Sequence, residues 1–78
     1  MTKAQLYMLQ HVCAYEQWGG APFRARAFSD YYAPLRRLLK RGLIERRPHP
    51  SPKYRAHFVK MFATPAGRRA LDEATHDR

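Results

Sequence analysis

The chain has 78 residues, enough for one domain and not two, and a domain of that size buries only roughly 60% of the surface its unfolded chain exposes. Fifteen Lys and Arg against six Asp and Glu give a formal charge of +9 and an isoelectric point near 10.5, which favours a polyanion, nucleic acid or an anionic membrane surface, over a neutral partner. A lone cysteine, Cys13, excludes a disulfide framework. No apolar run approaches the ~20 residues of a membrane span, and the first residues lack the apolar core of a signal peptide. The expectation is a mature protein of a reducing, cytoplasmic compartment, nucleoid-associated if the source is prokaryotic.

The first helix is expected over residues 3–17. Thr2 can cap it, and Gln5 three residues on completes a capping-box pattern. Leu6, Leu9, Val12 and Cys13 share one face, with Met8 and Glu16 at its margins. Trp18 then meets Gly19-Gly20, a left-handed stop. Tyr7, Tyr15 and Trp18 read as packing rather than binding groups, because aromatics dominate small cores.

"APFRARAFSD" fits two periods. Pro22 can open a short helix with Phe23 and Ala27 on one side, while alternation of Phe23, Ala25 and Ala27 against Arg24 and Arg26 fits a short strand. The short helix is preferred, with Phe23 and Phe28 in the core either way. The next helix ends at Gly42. Ser29 and Asp30 are good caps, but Pro34 lacks the amide that an interior position needs. Either the regular helix begins near Pro34 or its first turn is irregular. Leu35, Leu38, Leu39 and Tyr31 form the inward stripe, and Tyr32, Ala33, Arg36, Arg37 and Lys40 the outward face.

"LIERRP" and "YRAHFVKMFA" read as antiparallel strands joined by "HPSPK", where Pro50 and Pro52, after the Pro48 that ends the first strand, exclude regular structure. In the second strand Val59, Met61 and Ala63, with His57, share one face. Phe58, Lys60 and Phe62 share the other, where a monomer with one covered sheet face leaves the phenylalanines unexplained. Thr64 caps a last, short helix whose first residue is Pro65 and which packs through Ala66, Ala70 and Leu71. The fold class is therefore mainly α with a small β-hairpin (α+β), in one domain over residues 1–78.

Charge is concentrated rather than spread. Residues 36–55 hold eight basic side chains and one acid, Glu45. Helix, short element, helix and basic-tipped hairpin is the order of a winged helix-turn-helix. "LRRLLKRGLIERRP", a proline-bearing basic loop and "ATPAGRRALDEA" together resemble the multiple-antibiotic-resistance-regulator (MarR) type of winged-helix transcription factor over roughly residues 29–74. The resemblance implies three helices, a two-stranded wing and a short C-terminal helix, with the helix ending at Gly42 in the major groove of double-stranded DNA. Carried over by position, Ser29, Asp30, Tyr32, Ala33, Arg36 and Arg37 face the groove and Lys40 its backbone end. Arg46, Arg47, His49, Lys53 and Arg55 belong to the wing. Arginine can pair bidentately with guanine, at about 1–3 kcal/mol of discrimination per pair, whereas wing cations neutralise phosphates and set affinity.

The sequence also departs from that family. The long dimerisation helices are missing, and Lys53-Tyr54-Arg55 keeps the wing's arginine without the aspartate of the family's Asp-x-Arg brace. A homodimer through Phe58 and Phe62, or through the first helix, is the hypothesis that follows. Catalysis is not expected, since His11, His49, His57 and His76 are scattered and Cys13 has no neighbouring His or acid in a nucleophile arrangement. One Cys and separated His residues give no metal-ligand spacing, and no cofactor is implied. The expected function is a small DNA-binding transcriptional regulator, a repressor of phage or mobile-element type. The alternative is a winged-helix module that binds and inhibits or adapts a protein or nucleoprotein partner.

Overall fold

The structure, a computed structural model, describes residues 1–24 and 33–76. Helix α1 runs Lys3–Ala14, a 3₁₀ turn continues it over Tyr15–Trp18, and strand β1 follows at Ala21–Arg24. Helix α2 spans Ala33–Lys40, strands β2 and β3 span Ile44–Pro48 and Phe58–Ala63, and helix α3 spans Pro65–His76. The described residues thus form an α+β unit of three α-helices and a three-stranded antiparallel sheet ordered β1-β3-β2. No helix among them is long and apolar enough to cross a membrane.

The helix ends follow local chemistry. Thr2 accepts the Gln5 amide at 3.1 Å and caps α1. The helical path ends at Gly19 in the left-handed region, where Gly19 and Gly20 donate back to the Glu16 and Tyr15 carbonyls. The end of α2 repeats the motif. Gly42 has φ +72°, its amide donates to the Leu39 carbonyl, and the Leu43 amide donates to the Leu38 carbonyl. This is a Schellman closure, with Leu38 and Leu43 both buried beside it. Pro34 sits in the first turn of α2, where a missing amide costs nothing, so the regular helix does begin beside it.

One face of the sheet carries the core. Met61 lies opposite Ala21 on one side and Arg46 on the other, and Ala63 lies opposite Ile44. Ala21, Ile44, Met61 and Ala63 are buried with Leu9 and Val12 of α1, Leu35 and Leu38 of α2, and Leu43. Phe23, Leu39, Ala70 and Leu71 pack against this cluster. Glu16 fastens the 3₁₀ turn to the sheet, accepting the Ala63 amide at 3.0 Å and pairing with Arg68 of α3.

Several sequence expectations need correction. Residues 21–24 form a strand, not the preferred short helix, because Ala21–Arg24 pair with Met61–Phe58 of β3. Pro22 is tolerated because β1 is an edge strand. With β1 added, the hairpin is part of a three-stranded sheet rather than two strands alone. β3 starts at Phe58, not at Tyr54, since Tyr54 and Arg55 donate to the Ser51 carbonyl and His57 and Phe58 to the Tyr54 carbonyl in successive turns. His57 is therefore an exposed turn residue outside the strand. Ala66 is exposed, and Gly67 is the residue of that turn that packs inward. Tyr7 and Trp18 are each 72% exposed and Tyr15 is 39% exposed, so these rings do not build the core. Phe28 and Tyr31, expected inside, lie outside the described residues.

Candidate nucleic-acid interface

Helix α2 divides into two faces because of its sequence. Leu35 and Leu38 are fully buried and Leu39 is half-buried, so the remaining positions turn outward. Ala33, Arg36, Arg37 and Lys40 recur at helical spacing and line one open groove of about 400 Å³. The three cations are exposed, and no acidic residue occurs between positions 31 and 44. Arg37 and Lys40 occupy the last turn, where positive charge opposes the negative end of the helix dipole. This face has the charge and shape to receive a polyanion along the helix. Of the other residues assigned to it, Ser29, Asp30 and Tyr32 lie outside the described residues.

The residues assigned to a wing from the sequence do not form a single face. Arg46 stands opposite Met61, on the sheet side that carries the core, and is exposed beyond it. Arg47 stands opposite Lys60 on the other side. There it pairs with Glu45, and its guanidinium lies 4.4 Å from the centre of the Phe62 ring. Arg47 is thereby engaged by side chains of its own sheet face. The alternation of β2 forces this split, since neighbours in a strand point to opposite sides.

The loop between β2 and β3 is internally braced. His49 Nδ1 accepts the Ser51 amide at 3.1 Å, and its carbonyl accepts Arg55 Nε at 3.2 Å. Arg55 thus holds the loop through a backbone carbonyl. Tyr54 packs edge-on to His49 and to Phe58, with ring centres 5.5 and 6.2 Å apart, and the Lys53 ammonium lies 5.6 Å from the Tyr54 ring. Lys53 and Arg55 are exposed and His49 is half-buried. These side chains present cations at the tip while the rings keep the tip folded.

Phe58 and Phe62, left unexplained by the sequence, have partners within the chain. Phe58 meets Tyr54, and the Phe62 ring is so close to Gly20 that a Cβ there would stand 2.7 Å from it. Sequence reasoning missed Arg24 and Lys60, which share the outer sheet face with Arg47. The signal was the basic residue between the two phenylalanines of β3, but its neighbours on that face depend on β1 being a strand. Among the described residues no group of three or more His, Cys, Asp or Glu could hold a metal ion.

Compared with protein-family models, with curated proteins and with solved structures, the chain matches none.

Proposed function

We propose that this protein is a small winged helix-turn-helix regulator that binds double-stranded DNA, with α2 in the major groove and the loop between β2 and β3 on the phosphates. The observation that carries the reading is the outward face of α2, where Arg36, Arg37 and Lys40 surround an open groove without an acid on the same helix. The hairpin that follows α2 directly, with Lys53 and Arg55 exposed at its braced tip, supports it. So does the concentration of eight cations within residues 36–55. Neutralised phosphates supply affinity and its salt dependence, while guanidinium contacts to base edges supply choice of sequence. Repression by occupancy of an operator, in a non-catalytic role, is the activity such a domain performs.

The test is enrichment from a library of duplexes at two salt concentrations. A few sequences are selected; Arg36→Ala relaxes that selection, and Lys40→Ala weakens all duplexes alike and lowers the salt slope by about one. No duplex binding at ~100 mM salt, where specific binders still hold, rejects the reading. The second reading is a module that docks on a protein partner. It is favoured by the aromatic row of Tyr7, Tyr15 and Trp18, exposed along α1 and its 3₁₀ turn.

A further inference from the structure

The face of the sheet opposite the core is built from alternating rings and cations. Along β3, the central strand, Phe58, Lys60 and Phe62 point to this side. Arg24 of β1 lies directly opposite Phe58, and Arg47 of β2 directly opposite Lys60. Tyr54 prolongs the row, packed edge-on to Phe58 and 44% exposed. All the fully buried side chains of the sheet lie on the other side. The one acid across these strands, Glu45, is paired with Arg47.

We propose that this face is a binding site for single-stranded nucleic acid, separate from the α2 groove. A ring face gives a base a stacking partner without regard to its identity, and a surrounding positive field holds the backbone; Phe58 is half-buried and Tyr54 exposed. Phe62 lies against Gly20 and under the Arg47 guanidinium, so the rings left to bases are Phe58 and Tyr54. Their centres stand 6.2 Å apart, more than the ~3.4 Å between stacked neighbours of a duplex strand, so they take bases from an extended strand. Duplex DNA hides its ring faces and cannot use this row. The Arg47 guanidinium on Phe62 continues the stack as a planar cation. Lys60 Nζ reaches the Gly20 carbonyl at 3.3 Å through one of its three protons, leaving two for phosphate oxygens. Rings and cations hold DNA and RNA single strands by the same chemistry, and dT20 against U20 separates the two.

The experiment is fluorescence anisotropy of labelled dT20 and U20 with the full chain at ~100 mM salt, a level at which non-specific phosphate contacts alone are weak. Phe58→Ala weakens dT20 binding by about fivefold or more, the loss expected for one stacked base, and Arg24→Gln weakens it as well. Duplex binding is unchanged in both variants, and Arg36→Ala leaves dT20 binding unchanged. Circular dichroism checks each fold. Should Phe58→Ala not fold, Arg24→Gln and Lys60→Gln, both at partly or fully exposed positions, carry the same test. Absence of binding to both dT20 and U20 overturns the proposal, as does a loss that follows Arg36→Ala instead of the sheet variants; the tighter of the two probes names the strand that the face takes. If duplexes fail to bind while dT20 binds through the sheet, the regulator reading falls and this one stands.

Discussion

Gly67 approaches Leu43 so closely that a Cβ on it would stand 1.9 Å from the Leu43 carbonyl oxygen. That carbonyl also accepts the Thr64 amide at 3.1 Å, so it cannot turn aside without breaking a bond. The first turn of α3 is thereby pressed against the closing turn of α2, and the position of the α2 groove depends on that contact. Gly67→Ala is expected to destabilise the fold by about 1–3 kcal/mol, the usual cost of forcing atoms into a packed site. Gly42→Ala meets no atom within 4 Å but must hold φ +72°, which costs about 1–2 kcal/mol through strain alone. Urea denaturation of both variants, read at constant m-value, checks these costs.

Thr64 joins the same two turns with its side chain. Its hydroxyl donates to the Gly42 carbonyl at 2.6 Å and accepts the Gly67 amide at 3.0 Å. Thr64→Ala removes the helix cap and leaves the Gly42 carbonyl without this donor, with an expected cost of about 0.5–2 kcal/mol. In a domain this small that lowers the Tm by roughly 4–8 °C per kcal/mol. Thr64→Ser keeps the hydroxyl and recovers most of the loss. Thermal melts of the pair decide it: equal Tm values for Ala and Ser would show that the cap carries no stability.

Glu16 has two oxygens with different tasks. One accepts the Ala63 amide, and the other pairs with Arg68, an exposed partner. Glu16→Ala strips the Ala63 amide of its acceptor, at about 1–3 kcal/mol. Glu16→Gln keeps that acceptor and gives up only an ion pair of the exposed kind, worth about 0–1 kcal/mol. The expected order of stability is wild type, Gln, then Ala, with the larger step between Gln and Ala. Hydrogen exchange at the Ala63 amide separates the two effects, since only the Ala variant accelerates it strongly.

Burial raises the pKa of the Cys13 thiol above its ordinary value of 9.0; the Glu16 carboxylate adds to the rise and Arg68 opposes it. The thiolate is the reactive form. Cys13 is therefore expected to react with an aromatic disulfide reagent more slowly than a model thiol at pH 8, gaining only as the pH passes above 9.0. Glu16→Gln speeds the reaction and Arg68→Gln slows it. The sign for stability follows from the same shift. The thiol's contribution is complete below the pKa of the unfolded chain and is lost as pH rises through the higher folded value. Stability should thus decline above pH 9.0, and Cys13→Ser should alter that slope.

Much of the helical framework was legible in the residues. Thr2 and Thr64 cap amides three residues on, and Gly42 closes its own helix, so sequence neighbours suffice to read these ends; the Thr64 bond to Gly42, 22 residues away, is not legible in that way. The grouping of Ala33, Arg36, Arg37 and Lys40 follows from helical spacing in the same way. Strand β1 was not legible, because four residues containing Pro22 carry little period of their own and their partners stand on a distant segment. The exposure of Tyr7 and Trp18 was hidden for a related reason: an aromatic ring near a helix margin suits either side until the neighbouring elements are placed. Strand β2 shows a third limit. Arg46 and Arg47 are adjacent in sequence, yet the register against Met61 and Lys60 sends them to opposite sides.

The central strand is also among the last elements in the chain. Ala21 finds its partner in Met61, and the Lys60 ammonium bonds to a carbonyl 40 residues earlier. Contacts of such long sequence separation close late and slow the folding of small domains. On an emerging polypeptide β1 and β2 both wait for β3, and a fragment ending before Phe58 has no strand for either to join. This sheet therefore cannot exist until translation has passed Ala63, the end of β3.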